Sequence, residues 1–197
     1  MTLCQEAAHK GDLVRLQKAH KDGHPWDTWT CAYAASGGHL EVLQWARQQG
    51  CPWSPSTCAY AAVNGHLKVL QWARQQGCSW DQHTCAYAAG GGHLEVLQWA
   101  RQNGCPWDET TCSYAASTRH WEVLQWARQN GCPWITGKAL YERSTQHPLN
   151  SYRALRWLHD HDGLYAHSGV SLWLDAIETW LSTLLTQDVV SLVQRYV

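Results

Sequence analysis

Cysteine and histidine are the residues of this sequence whose chemistry and spacing could build a reactive site. Cysteine occupies one register at Cys31, Cys58, Cys85 and Cys112 and a second at Cys51, Cys78, Cys105 and Cys132, and histidine recurs at His39, His66, His93 and His120. Thiols could ligate zinc, but a tetrahedral zinc site favours clustered pairs such as Cys-x-x-Cys, and no such pair is present. The cysteine-proline steps at Cys51-Pro52, Cys105-Pro106 and Cys132-Pro133 would suit contacts to haem, yet the corresponding step between the first two is Cys78-Ser79 and the pattern follows a period along the chain. Packing accounts better for that period, because a free cysteine behaves as a compact hydrophobe. The cysteines are therefore predicted to be reduced core residues, with neither metal nor cofactor.

A histidine acting as general base must converge with a nucleophile at one place. Histidines repeated at fixed intervals are instead spread along the molecule, which predicts structural hydrogen bonds. Gly90-Gly91-Gly92 offers no phosphate cradle either, since no strand precedes it as a dinucleotide site requires. The chain is not expected to be an enzyme.

The period belongs to a repeat. Leu-Gln-Trp-Ala-Arg-Gln occurs four times, with its tryptophan at Trp45, Trp72, Trp99 and Trp126, 27 residues apart. Full copies run over 30–56, 57–83, 84–110 and 111–137. A divergent copy over 3–29 keeps Ala7-Ala8, Gly11-Asp12-Leu13 and the Gly23 to Trp26 ending, and reads as an N-terminal cap. A degraded sixth copy over 138–163 keeps Tyr141 and Trp157, and 164–197 is expected to form a helical C-terminal cap.

Each unit reads as two short helices. Ser54-Pro55 and, at the same place, Asp27, Asp81 and Asp108 are start signals: the polar side chain caps free N–H groups, and proline at the first helical position loses no bond. Gly37-Gly38, Asn64-Gly65 and Gly91-Gly92 end the first helix. The second, from His39 to Arg47, has apolar residues at 40, 43 and 46, joined by 42 and 45, on one broad face. Such a pair cannot bury that face alone, so neighbours must stack into an all-α solenoid. Tyr33, Tyr60, Tyr87 and Tyr114 and the tryptophans are expected to supply large burial in a chain without phenylalanine.

Composition narrows the function. Fifteen Lys plus Arg against sixteen Asp plus Glu leaves no basic stripe, so nucleic acid is not expected as a partner. The first ten residues lack the apolar run of a signal peptide, and Val170 to Val197 is broken by Asp175, Glu178, Asp188 and Arg195, so no membrane span is expected. Free thiols and no leader predict a cytoplasmic or nucleoplasmic protein.

At Ala34 to Leu43 and Ala88 to Leu97, Ala-Ala-x-x-Gly-His-Leu-Glu-Val-Leu resembles the ankyrin repeat. The likeness covers roughly residues 3 to 163. Ankyrin units usually have about 33 residues; the shortfall here lies between Gly50 and Thr57, so the hairpin loop is expected to be trimmed to a tight turn. The sequence departs from the usual pattern at Cys31 and Tyr33, where leucine is common, and at Trp53, where valine is. Its Cys-Pro-Trp-Asp variety is similar to arrays of large DNA viruses of amoebae, which would imply a host cytoplasm. The resemblance implies a protein-protein interaction scaffold with another protein as partner.

Variation among the copies marks where packing does not dictate the residue. It falls at the turn and first-helix start (Thr28, Trp29, Pro55, Ser56, Gln82, His83, Glu109, Thr110), at the first-helix exit (Ser36, Val63, Asn64, Gly90, Ser117, Thr118) and at the second-helix end (Gln49, Gln76, Asn103, Asn130). The first two groups coincide with the surface through which ankyrin-like proteins usually bind, with Trp29 and His83 as the strongest individual candidates. Drift of solvated positions would produce the same variation. Farther on, Leu172-Trp173-Leu174-Asp175, Trp180 to Leu184 and Asp188 to Leu192 are similar in spacing to the opening helices of an F-box. That alternative implies a substrate adaptor for a cullin-type ubiquitin ligase, with a pair of sealing helices as the simpler reading.

Overall fold

The computed structural model describes residues 1–133, which lie in Met1–Trp134, the first of two units into which the chain divides. The expected sixth repeat, C-terminal cap and F-box-like segment lie outside the described residues. Within them the chain forms α1 (Leu3–Lys10), α2 (Leu13–Lys21), α3 (Thr28–Ser36), α4 (Leu40–Gln48), α5 (Pro55–Val63), α6 (Leu67–Gln75), α7 (Gln82–Gly90), α8 (Leu94–Gln102), α9 (Glu109–Ser117) and α10 (Trp121–Gln129), and no strand. The odd-numbered helices are the first helices of five repeats and the even-numbered ones the second.

None of these helices exceeds 9 residues, a length at which an isolated helix is marginal in water, so packing must hold them. Local chemistry sets their ends. Asp27, Asp81 and Asp108 accept from the backbone N–H of Trp29, His83 and Thr110, and Asp27 with Thr30 forms a reciprocal capping box. Ser54 departs from expectation: it holds the extended cap conformation, but its hydroxyl makes no capping bond, and Pro55 in the first turn makes one fewer free N–H to satisfy.

Each first helix packs on the next, α1 on α3, α3 on α5, α5 on α7 and α7 on α9, and each second helix packs on the first helix of its own repeat. Small residues permit the close stacking: Cys31, Ala34 and Ala35, and their equivalents Cys58, Ala61, Ala62, Cys85, Ala88 and Ala89, are fully buried. Leu43, Leu70, Leu97 and Leu124 fill the space between the two helix layers with no exposed surface, each contributing about 1.5–3 kcal/mol. The aromatic residues are less buried than the sequence predicts. Tyr33, Tyr60 and Tyr87 are half-buried and Tyr114 is exposed, and the second-helix tryptophans Trp45, Trp72, Trp99 and Trp126 are half-buried as well. With so many small residues in the tight layer, the large rings are left to the two flanks.

Candidate functional site

Two kinds of joint rigidify the array. In the first, a histidine at the start of each second helix from α4 onward lies against the preceding repeat. His39 Nε2 donates to the His9 carbonyl at 3.1 Å, His66 Nε2 to Ser36 at 3.0 Å and His93 Nε2 to Val63 at 3.1 Å. These carbonyls belong to the last turns of first helices, where no intrahelical donor remains. The rings sit over left-handed glycines: a Cβ on Gly38 would lie 2.7 Å from His66, and one on Gly65 2.6 Å from His93. In the fifth repeat Arg119 takes the corresponding place and still adopts φ 66°.

The second joint holds the shortened connection. With no hairpin to pair its backbone, side chains satisfy the carbonyls. Cys51, Cys78, Cys105 and Cys132 donate their thiols to the carbonyls of Asp27, Ser54, Asp81 and Asp108 at 3.4, 3.5, 3.4 and 3.4 Å. Arg47, Arg74 and Arg101 donate to the Cys51, Cys78 and Cys105 carbonyls. The same guanidinium groups lie 4.1, 4.0 and 4.1 Å above Trp53, Trp80 and Trp107, and each of those rings meets the second-helix tryptophan of the next repeat edge-on, at 6.0, 5.8 and 6.0 Å. In the N-terminal repeat His20 stands in for the arginine and stacks on Trp26 at 3.8 Å.

The predicted binding residues lie along the first-helix flank, and none is buried. Trp29, His83, Asn64, Ser117 and Thr118 are exposed; Ser36, Pro55, Ser56, Val63, Gln82, Gly90, Glu109 and Thr110 are partly so. Sequence comparison missed the tyrosines between them. Trp29, Tyr33 and Ser36 are four and three residues apart, hence on one helical stripe, and the same holds for Ser56, Tyr60 and Val63, for His83, Tyr87 and Gly90, and for Thr110, Tyr114 and Ser117. That spacing was the available signal, masked by the identity of the tyrosines in every copy. The rings form two contiguous groups. Trp29 lies 6.1 Å from Tyr33 and 5.9 Å from Tyr60; His83 lies 6.0 Å from Tyr87, which stacks on Tyr114 at 6.0 Å. Asn64 bridges to the Ser36 hydroxyl at 3.1 Å and so ties neighbouring repeats at the exit positions.

Among solved structures, this architecture is similar to the human ASB11 ankyrin repeat domain at 15% sequence identity, covering 66% of this chain and 69% of that one with a TM-score of 0.53. The fold is an all-α ankyrin-type solenoid. No family model and no curated protein matches the sequence.

In this ankyrin-type array all nine cysteines are buried and unpaired. The thiols of Cys31, Cys58, Cys85 and Cys112 are held protonated well above the ordinary range, first by hydrogen bonding to Cys51, Cys78, Cys105 and Cys132 and then by burial. A buried neutral thiol is a poor nucleophile and a poor ligand. Among the described residues no group of three or more His, Cys, Asp or Glu side chains could hold a metal ion, and no helix is long and apolar enough to cross a membrane.

Proposed function

We propose that the chain is a non-catalytic scaffold that binds another protein through the first-helix flank and the adjoining turns. The observation that carries this reading is the aromatic stripe across four consecutive repeats, with Trp29 42% and Tyr114 41% exposed beside the half-buried Tyr33, Tyr60 and Tyr87. Exposed aromatic rings on a rigid support are characteristic anchors of protein interfaces, since they bury a large area at little cost in conformational entropy. Invariant tyrosines supply the common adhesive surface, while Trp29, Ser56, His83 and Thr110 vary the chemistry from one repeat to the next. Helices α3, α5 and α7 contain no Asp, Glu, Lys or Arg, which suits a largely uncharged partner surface. Nine unpaired thiols support work in a reducing compartment, the cytoplasm or nucleoplasm. The ligase-adaptor alternative rests on 172–192, and nothing among the described residues favours it.

The test is affinity capture on the immobilised chain, then calorimetry on the captured protein with Trp29→Ala/His83→Ala. The double variant is expected to weaken binding by about 2 kcal/mol or more while shifting stability by only about 0.5 kcal/mol per exposed site. Unchanged affinity in the folded variant removes this face from the interface.

A further inference from the structure

The nine cysteines divide into four pairs and one remainder. In each full repeat the first-helix thiol meets the turn thiol 20 residues on: Cys31 with Cys51, Cys58 with Cys78, Cys85 with Cys105 and Cys112 with Cys132 are hydrogen-bonded through their side chains. The Cys31 and Cys85 sulfurs also reach the Cys51 and Cys105 carbonyls at 3.9 and 4.0 Å. Each turn sulfur in its turn lies on the carbonyl of the residue that caps the same first helix, four positions before the first-helix cysteine. Both thiols of a pair are therefore brought to one end of one helix. Cys4 stands apart, since His24 holds the corresponding place in its turn and the Cys4 thiol meets the His24 carbonyl at 3.7 Å.

The members of a pair differ in character. The hydrogen bond donated by Cys58 holds the Cys78 thiol below the ordinary range against its burial, with the Arg74 and Arg47 charges adding to the effect, and Cys112 and Arg128 act likewise on Cys132. The hydroxyls of Thr57, Thr84 and Thr111 are buried without a formed hydrogen bond, and Thr111 faces the Cys132 sulfur closely enough to favour its thiolate. A donor left orphaned beside a neutral thiol is satisfied by a charged one. Cys78 has no exposed surface, yet Gly77 and Ser79 on either side of it are exposed, and nothing stands within 4 Å of a Cβ placed on Gly77. The sulfur thus lies one residue beneath the surface of a turn.

We infer that each pair is a dithiol that hydrogen peroxide closes into a disulfide, joining the turn to the start of the first helix within one repeat. In the Cys58 and Cys78 pair, the Cys78 thiolate attacks one peroxide oxygen, the O–O bond breaks, hydroxide leaves and Cys78 becomes a sulfenic acid. The Cys58 sulfur then attacks that of Cys78, the S–O bond breaks, and the S–S bond forms with loss of water. The Cys58 proton and the one first shed by Cys78 end on the departing oxygens. Two thiols and one peroxide thereby give one disulfide and two waters, with two electrons passing from sulfur to oxygen. Hydrogen peroxide is little larger than water and needs only local opening of the turn to enter, whereas bulky thiol reagents stay outside the folded core.

The test exposes the reduced, folded full chain to millimolar hydrogen peroxide at neutral pH, then counts thiols in denaturant and maps peptides without reductant. The count should fall from nine to one, with Cys4 as the thiol that remains. The map should show four links, Cys31 to Cys51, Cys58 to Cys78, Cys85 to Cys105 and Cys112 to Cys132, and dithiothreitol should restore all nine thiols. Cys58→Ala should lose the link to Cys78 alone, leaving Cys78 as a thiol or an oxyacid and the other three links in place. Nine thiols after exposure, closure only in urea, oxyacids in place of links, or links that join different repeats or different chains would each overturn the assignment. So would a folded Cys58→Ala in which Cys78 is linked to another cysteine. If that variant does not fold, the map of the unaltered chain decides the matter by itself.

Discussion

Gly65 and Gly77 form a matched pair that isolates the histidine joint. Both are left-handed, at φ +74° and +82°, and both end a helix of the third repeat. Replacing either by alanine places a Cβ in a region that costs an L-residue about 1–2 kcal/mol. At Gly77 nothing lies within 4 Å of the new atom, so that is the whole cost. At Gly65 the new Cβ would stand 2.6 Å from His93 Nδ1 and 2.7 Å from Cε1, and the ring is pinned by its 3.1 Å bond to the Val63 carbonyl. Either the ring stays and the repeats are forced apart, an overpacking cost of about 1–3 kcal/mol, or it swings out and forfeits a hydrogen bond of about 0.5–1.5 kcal/mol together with its packing. Gly65→Ala should therefore lose about 3–4 kcal/mol against about 1–2 for Gly77→Ala. Urea unfolding followed by circular dichroism measures both. Because the damage falls between neighbouring repeats, Gly65→Ala should also broaden or split the transition, as expected of an array coupled only through nearest neighbours. Adding His93→Ala to Gly65→Ala should cost less than the sum of the single changes. Equal losses at the two glycines, or strict additivity with His93→Ala, would refute the claim that the ring is seated on that glycine.

Other outcomes follow from the same contacts. Arg119→Gly should raise stability by up to about 1 kcal/mol in thermal melts, since it relieves a positive φ on an exposed side chain. Arg74→Ala should destabilise by about 1.5–3 kcal/mol, because the Cys78 carbonyl loses a charged donor and Trp80 its cap; Trp72→Ala should fall short of the about 3–5 kcal/mol of a fully buried aromatic, because the ring is half-buried. Thiol titration should find few reactive groups in the native protein and nine after denaturation. The first-helix thiols have raised values when folded and titrate near 9.0 when unfolded. Their contribution is therefore complete below about pH 9 and declines as the pH rises above it, by up to about 1.4 kcal/mol per pH unit at Cys31 and Cys85, whereas at Cys58 and Cys112 the lowered values of their hydrogen-bonded partners Cys78 and Cys132 oppose the decline, so melting temperature should fall as the pH is raised above about 9.

The sequence by itself determines the repeat length, the all-α class and the limits of nearly every described helix. Those features rest on contacts within a few residues: Asp27, Asp81 and Asp108 cap the N–H groups two residues on, Gly38, Gly65 and Gly92 end helices by their own backbone freedom, and the apolar spacing of Leu43 and Ala46 shows directly which side is buried. Strict recurrence likewise made the buried cysteines legible, because a position repeated in every unit answers a packing problem shared by all units. That inference misleads at the tyrosines. They are equally invariant, yet they line the flank, since two first helices built on alanine and cysteine lie too close for a large ring between them. Tertiary structure alone decides the joints that link residues 19 to 30 positions apart, His66 on Ser36, Cys78 on Ser54 and Trp53 against Trp72. Each of these needs two repeats to be placed side by side, and the distance and rotation between them come from the volumes of all the side chains in the interface, which no single stretch of sequence encodes.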